Sequence, residues 1–392
     1  MLTRTVRWAV RGSLVGVLAG LASAAFLETL TWATRTRIRH PDLIYALPVV
    51  GLVTGLAYRY LGGRSGSGNA LILDEIHDPK DWLPRRMAPL TYAFTVLGHL
   101  VGASVGREGT AIQMAGSLTD SLGRILRVST VDRSTMLLAA IAGGFGSVFG
   151  VPFAGVVFAF EVQSVRRRFR AVIPAVAASF VGDAVVRALG VHHTPTPDLG
   201  RVHLGPSLLV KLAIAGIAFG LTARAFVGVT HVLRRELARA IGWAPLRPFL
   251  GGLAVLGLVA AVGNRDYLGL SLPLVGVALA GGTGVVAGAF ALKALFTAVS
   301  LGSGFQGGEV TPLFVIGATL GVSMARLLDA PVPLLASIGF VAVFAGAANT
   351  PIACTIMAVE LFGRHAAVPA LIACVISFLL SAERGIYGPR RR

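Results

Sequence analysis

Charge is scarce in this chain. Only 14% of its 392 residues are Asp, Glu, Lys or Arg, where a soluble globular chain carries roughly 25%. With 55% hydrophobic residues and a mean hydropathy of +0.76, an ordinary water-soluble domain is excluded. Acidic residues are scarcer still, 18 against 35 basic ones, for a formal net charge of +17. Cysteine is almost absent. Cys354 and Cys374 both sit in apolar runs; they are too few for a disulfide framework or a thiolate metal site and carry no redox information. No nucleophile triad, metal-ligand spacing or phosphate loop occurs either. No enzymatic activity, metal or cofactor is therefore expected, and a membrane-embedded enzyme or regulatory scaffold is the weakest class.

Apolar length is what the chain has in abundance. The clearest runs are 13–33, 43–61, 135–163, 207–232, 331–362 and 366–381. A span needs about 20 apolar residues, so an all-α polytopic membrane protein with at least eight to ten crossings is expected. Shorter apolar pieces are expected to be re-entrant or half-helices. The start resembles a signal peptide, with Ala22-Ser23-Ala24 as a cleavage-like site, but an uncleaved first membrane helix fits better. The basic residues form no single stripe. They fall in short clusters: Arg4, Arg7 and Arg11; Arg35, Arg37 and Arg39; Arg85 and Arg86; RRRFR at 166–170; Arg234, Arg235 and Arg239; and the terminal RRR. Clusters between apolar runs are the mark of the positive-inside rule. The lipid bilayer is thus the expected partner, nucleic acid is not, and both termini are expected inside.

Two segments recur. GREGTAIQMAG (106–116) lies on GGEVTPLFVIG (307–317), and VPFAGVVFAFE (151–161) on TPIACTIMAVE (350–360), at offsets of 201 and 199 residues. Two matches at nearly one offset imply two homologous halves, expected as residues 1–170 and 171–392 with the division near the basic run. Duplicated halves are common in transporters, where the site lies at the repeat interface and is built from broken helices. Glycines, threonines and a proline at helix starts mark such breaks. Gly106-Arg107-Glu108-Gly109-Thr110 and Gly307-Gly308-Glu309-Val310-Thr311-Pro312 carry them, as does Gly66-Ser67-Gly68-Asn69 ahead of ALILDEIH.

A helix start has unpaired N–H groups and a partial positive charge, so it attracts anions. Glycine lets the backbone come close to the ion. A Glu at such a start occupies the site as a tethered anion, and once protonated it is neutral and free to leave. Glu108 is accordingly expected to be both gate and proton carrier. The plainer alternative is an ion pair with Arg107 or a helix cap. Neighbouring positions on a helix do not face each other, so Arg107 is expected to be a poor partner.

These residues resemble the CLC family of anion channels and anion/proton antiporters over about residues 13 to 388. GREGT looks like the family's GREGP segment, which carries its gating glutamate and matches Glu108. GGEVTP corresponds to its GGIFAP helix start, and Tyr387 in RGIYGPR to its anion-coordinating tyrosine. The resemblance implies two inverted-topology repeats and a homodimer with one pore per subunit. Three departures point to the bacterial fluoride/proton antiporter branch: Thr110 in place of Pro, Glu309 and Thr311 in the second helix start, and GSGNALILDEIH without the Pro of GSGIP. The anion is then fluoride, exported across the cytoplasmic membrane against inward protons; a chloride/proton antiporter or chloride channel is the alternative. Gly68, Asn69, Gly106, Arg107, Gly109, Thr110, Glu309, Val310, Thr311 and Tyr387 are the expected anion-binding positions. A literal alignment puts Ser67 on the family's anion-binding serine, while the fluoride-type pattern favours Asn69. Val162 stands where chloride/proton exchangers commonly carry an internal proton glutamate, so either protons take another route or Glu108 carries them alone, with Glu309 expected to assist by a hydrogen bond to Glu108 or the ion. The large cytoplasmic domains of some relatives are not expected.

Other signals have plainer explanations. Gly282-Thr283-Gly284-Val285-Val286-Ala287 fits a GxGxxA pattern but has no βαβ context, so packing through small residues is expected there, as for Gly16/Gly20 and Gly51/Gly55. Asp74, Glu75, His77 and Asp78 read as a solvated helix end rather than metal ligands. Glu161 and Glu360 read as interfacial anchors or salt-bridge partners.

Overall fold

The computed structural model describes residues 2–163, 169–381 and 384–389. Arg166–Arg168 of the basic run and the terminal arginines lie outside the described residues. The described residues form sixteen α-helices. The first eight are α1 (Leu2–Arg39), α2 (Leu47–Ala57), α3 (Asn69–His77), α4 (Met87–Val101), α5 (Glu108–Ile125), α6 (Thr130–Phe149), α7 (Pro152–Glu161) and α8 (Val172–Ala188). The next eight are α9 (Pro206–Ala240), α10 (Leu246–Val262), α11 (Leu272–Leu279), α12 (Ala289–Ser303), α13 (Val310–Leu328), α14 (Val332–Ala348), α15 (Pro351–Phe362) and α16 (Ala367–Leu380). A two-residue strand pair, Arg384–Gly385 with Gly388–Pro389, closes the chain.

The second octet repeats the first. Helix α1 packs on α8 as α9 packs on α16, α5 on α6 as α13 on α14, and α7 on α15 across the two series. The two series are joined by the connection 189–205, between α8 and α9. Gly16 and Gly20 bring α1 against the backbone of Ala178 and Gly182 on α8, and Gly51 and Gly55 do the same for α2 on Pro245 and Pro248. Lipid supplies no hydrophobic drive between helices, so such close approach is what holds them together. The 282–287 segment is a turn and not a helix; Gly282 packs closely on Val322 of α13, and Gly282 and Val285 offer carbonyls to Arg326 at 2.7 Å each.

Among the described residues, five helical stretches are long and apolar enough to cross a membrane by length and composition, and seven more apolar helices have 10–17 residues. The expectation of eight to ten full spans counted runs that are in fact broken. Run 135–163 stops at Gly150, left-handed at φ 72°, and Pro152 starts α7; run 331–362 stops at Asn349, φ 59°, and Pro351 starts α15. Proline has no N–H to continue a helix but suits its first position. The breaks are thus local chemistry that a hydropathy average cannot register.

Each broken end needs a partner for its free N–H groups, and the two halves exchange them. The Glu161 carboxylate, at the end of α7, accepts from Ile352 and Ala353 N–H at the start of α15 (3.0 and 2.8 Å). Glu360, at the end of α15, accepts from Phe153 and Ala154 N–H at the start of α7 (2.9 and 2.8 Å). These glutamates are therefore reciprocal helix caps, where anchors or salt-bridge partners were expected. At the centre, α6 buries every residue from Arg133 to Phe149 and α14 every residue from Leu334 to Ala348. Phe145 stacks on Phe158 at 4.1 Å and Phe314 on Phe340 at 4.0 Å.

The basic clusters also need revision. Arg4, Arg7 and Arg11 lie at one end of α1 and Arg35, Arg37 and Arg39 at the other, about 40 Å apart along its axis. They cannot both face the cytoplasm. Arg37 instead donates to the His99 carbonyl (3.1 Å). Nor is Glu75 solvated. It is 2% exposed, bonded to Arg64, and held by Arg133 at 3.1 Å, while Arg133 also grips Asp120 at 2.6 Å.

A cap is worth roughly 1 kcal/mol, and these caps join the two halves. Glu161→Ala and Glu360→Ala should each lower the thermal unfolding midpoint in detergent by a few degrees, with Glu→Gln, which keeps an acceptor oxygen, losing less.

Candidate anion site

Helices α5 and α13 begin side by side because the segments before them pair. Gly106 N–H donates to Gly308 C=O (2.6 Å) and Gly308 N–H to Gly106 C=O (2.8 Å), a two-bond antiparallel bridge between the halves. Only glycine permits it. A Cβ on Gly308 would lie 2.7 Å from Gly109 N, and one on Gly106 2.8 Å from the Gly308 oxygen, distances that side chains do not tolerate in a packed interior.

Glu108, the first residue of α5, is fully buried. Its carboxylate does not turn into its own helix but crosses to the other half. Thr311 N–H, in the first turn of α13, donates to Oε2 at 3.1 Å, and the Thr311 hydroxyl donates to Oε1. Arg107 N–H adds a third donor at 3.2 Å. Arg107 was expected to be a poor partner. Its side chain makes no hydrogen bond to Glu108: Nε stays 3.9 Å from Oε1 and is buried without a hydrogen-bond partner, so only its backbone N–H serves the carboxylate. Its guanidinium also lies over the Phe149 ring, 5.9 Å from the centroid. An N-terminal carboxylate held by backbone donors is favourable for the helix charge distribution. The same donors suit any small anion of equal charge.

Gly109 is where three elements converge. A Cβ there would come within 3.0 Å of Asn69 Nδ2 and 3.1 Å of Gly308 Cα. Gly68, left-handed at φ 56°, turns the chain into α3 so that Asn69 starts that helix. A cavity of about 320 Å³ lies beside these starts, lined by Ser67, Gly68, Asn69, Gln113, Glu309 and Tyr387 among others. Asn69 Oδ1, Gln113 Oε1 and the Tyr387 hydroxyl are buried without a hydrogen-bond partner. Ser67 is exposed and Asn69 half-buried. Val310 is buried in the first position of α13.

Two expected positions behave differently. The Thr110 hydroxyl bonds the Thr95 hydroxyl (2.8 Å) and so faces α4. Glu309, immediately before α13, lines the cavity, while the hydrogen bonds to Glu108 come from Thr311 and Arg107. Gln113 escaped the sequence reading although it ends the GREGTAIQ stretch. Its place in the cavity follows from a turn and a half of helix, and a polar residue in an apolar run was the available signal. Lys293 escaped it too. Fully buried on α12, its ammonium donates to Ser104 Oγ (2.9 Å), Ser271 Oγ (2.9 Å) and the carbonyls of Gly269 (2.7 Å) and Tyr267 (3.1 Å). It ties the segment leading into Gly106 to the α10–α11 connection.

Residues 49–382 match the family model described as voltage gated chloride channel. The whole chain is 47% identical to a "Chloride/fluoride channel protein" of Pseudomonas syringae pv. tomato, covering 88% of it. An uncharacterized protein of Methanocaldococcus jannaschii is 25% identical over 98% of this chain and 95% of its own length. Among solved structures, a CLC-type fluoride/proton antiporter superposes with a TM-score of 0.94 at 30% identity, covering 97% of both chains. A slow cyanobacterial Cl⁻/H⁺ antiporter, at 20% identity and a TM-score of 0.82 over 98% of this chain and 96% of its own, shares the fold. On the family match and the full-length identity, this membrane protein belongs to the voltage gated chloride channel (CLC) family of anion channels and antiporters.

Proposed function

We propose that the chain exchanges fluoride for protons, exporting fluoride across the cytoplasmic membrane, with Glu108 as gate and proton carrier. One observation carries this: a fully buried carboxylate from one half sits among the free donors of the other half's helix start. Glu108 stands where an anion would be held. Protonation removes the charge that those donors hold, the side chain leaves, and an anion takes its place. Anion movement is then tied to proton movement through one group. Val162 offers no internal carboxylate, and neighbouring Glu161 is engaged in capping α15, which supports Glu108 working alone.

Fluoride is favoured over chloride by the site's donors and by likeness. Thr311 brings both N–H and O–H to one point, which suits a small, strongly hydrogen-bonding anion. Asn69, touching Gly109, is the stronger candidate than exposed Ser67 for the ion contact. A relative solved as a fluoride/proton antiporter superposes over nearly the whole chain. Arg107, Val310, Gly68 and Tyr387 complete the path. The reading includes two inverted halves and a homodimer with one pore in each subunit.

Reconstituted in liposomes, the protein should release fluoride far faster than chloride while protons move the other way; equal rates for the two anions would assign it to chloride. Glu108→Gln should abolish proton uptake coupled to fluoride, and retained coupling would remove Glu108 from the carrier role. A hydrogen bond to a charged group is worth about 1.5–3 kcal/mol. Thr311→Val should therefore change fluoride turnover about tenfold or more, with Thr311→Ser close to the parent protein. Asn69→Ala should reduce the fluoride preference and Ser67→Ala leave it.

A further inference from the structure

The cluster Arg234, Arg235 and Arg239 reads in sequence as a uniform positive-inside patch, but the fold divides it. Arg235 and Arg239 both bind Glu236, each at 2.9 Å, on the outer surface of α9. Arg234 lines the same cavity as Asn69, Glu309 and Tyr387, and it has no hydrogen-bonded carboxylate among the described residues. Arg247, near the start of α10, lines that cavity too. It is fixed there by donating to the Ile241 and Ala238 carbonyls at the end of α9 (3.0 and 3.3 Å). Two guanidinium groups thus share a cavity with one carboxylate, Glu309.

Glu309 poses a problem for anion entry. A carboxylate lining the approach repels the ion that must pass it. Two cations reverse the sign, leaving the cavity with a net attraction for an anion. A cleft lined by one sign of charge with low-dielectric walls concentrates ions of the other sign and raises their entry rate. Arg234 is exposed at its mouth, so it meets the ion while it is still hydrated, whereas Arg247 is half-buried and held in place. The export reading makes this end, where the anion is captured, the cytoplasmic one.

We infer that Arg234, backed by Arg247, is the cytoplasmic capture site that draws the exported anion into the cavity against the charge of Glu309. This rests on the proposed function for the identity of the anion, not for the role of the arginine. Capture acts before the gate, so its loss weakens apparent affinity and leaves the exchange step alone.

The test uses initial rates of fluoride uptake into inside-out membrane vesicles, which present the cytoplasmic face, normalised to the amount of protein. Arg234→Gln should raise KM for fluoride about three- to ten-fold, the low end of what steering achieves. The maximal rate and the proton-to-fluoride ratio should stay unchanged. The Debye length falls from about 10 Å at 0.1 M salt to about 3 Å at 1 M, so the difference should fade as an impermeant salt is added. Arg234→Lys should restore the KM, and Arg235→Gln, which removes a surface partner of Glu236, should not change it. An unaltered KM, a fall in maximal rate independent of salt, or an equal effect of Arg235→Gln would overturn the inference. Were the parent protein to carry chloride and not fluoride, the function reading would fall. The same KM shift, read on chloride, would still decide the role of Arg234.

Discussion

A helix that ends inside a membrane leaves several N–H groups with no water to pair with, and each such group is costly there. The interior of this protein is organised around meeting that need. Where α7 and α15 begin, the partners are Glu161 and Glu360, each borrowed from the opposite half. Where α5 and α13 begin, Gly106 and Gly308 pair with each other and Glu108 supplies a carboxylate to Thr311. Both solutions hold the halves together, yet they differ in one respect that matters. The capping glutamates bind two backbone donors apiece in fixed positions. Glu108 is fully buried, with Gln113 of its own helix and Glu309 before α13 lining the nearby cavity, and on the proposed reading its place is the one an ion takes.

Charges elsewhere in the interior serve the framework. Arg133 binds Asp120 and Glu75 beneath the Trp82 ring, locking the ends of α3 and α5 to the start of α6. Removing one member of such a buried set leaves its partners uncompensated, which is far more damaging than the net worth of the set. Lys293 plays the same part near the gate, with neutral oxygens as its partners. The segment that positions Gly106 is therefore tied in place, and on the proposed reading only the Glu108 side chain needs to move. That division suits a site which must exchange occupants without opening the fold.

Much of this was legible in the residues. The membrane class follows from apolar length, and the duplication from two matched segments at one offset. The place of Glu108 at a buried helix start follows from a carboxylate between glycines in an apolar run. Less legible was where the long runs break, since Gly150 and Asn349 alter backbone conformation and not hydropathy. Proline two residues on, in each case, was the available clue. Glu161 and Glu360 looked alike and terminal in sequence, but nothing in one chain segment reveals that its carboxylate caps a helix two hundred residues away.

Sequence alone, then, determined what is local: the apolar lengths that select a membrane, the glycines that permit close approach, and the carboxylate available to a helix start. Tertiary structure decided which groups meet. Glu108 binds Thr311 and not the helix it begins, Arg234 turns to the cavity while Arg235 and Arg239 take Glu236, and Asn69 reaches Gly109. The reason is physical. Backbone preference and hydropathy act within a few residues, whereas pairing of charges and broken helix ends is set by which halves are pressed together in a medium that offers no water.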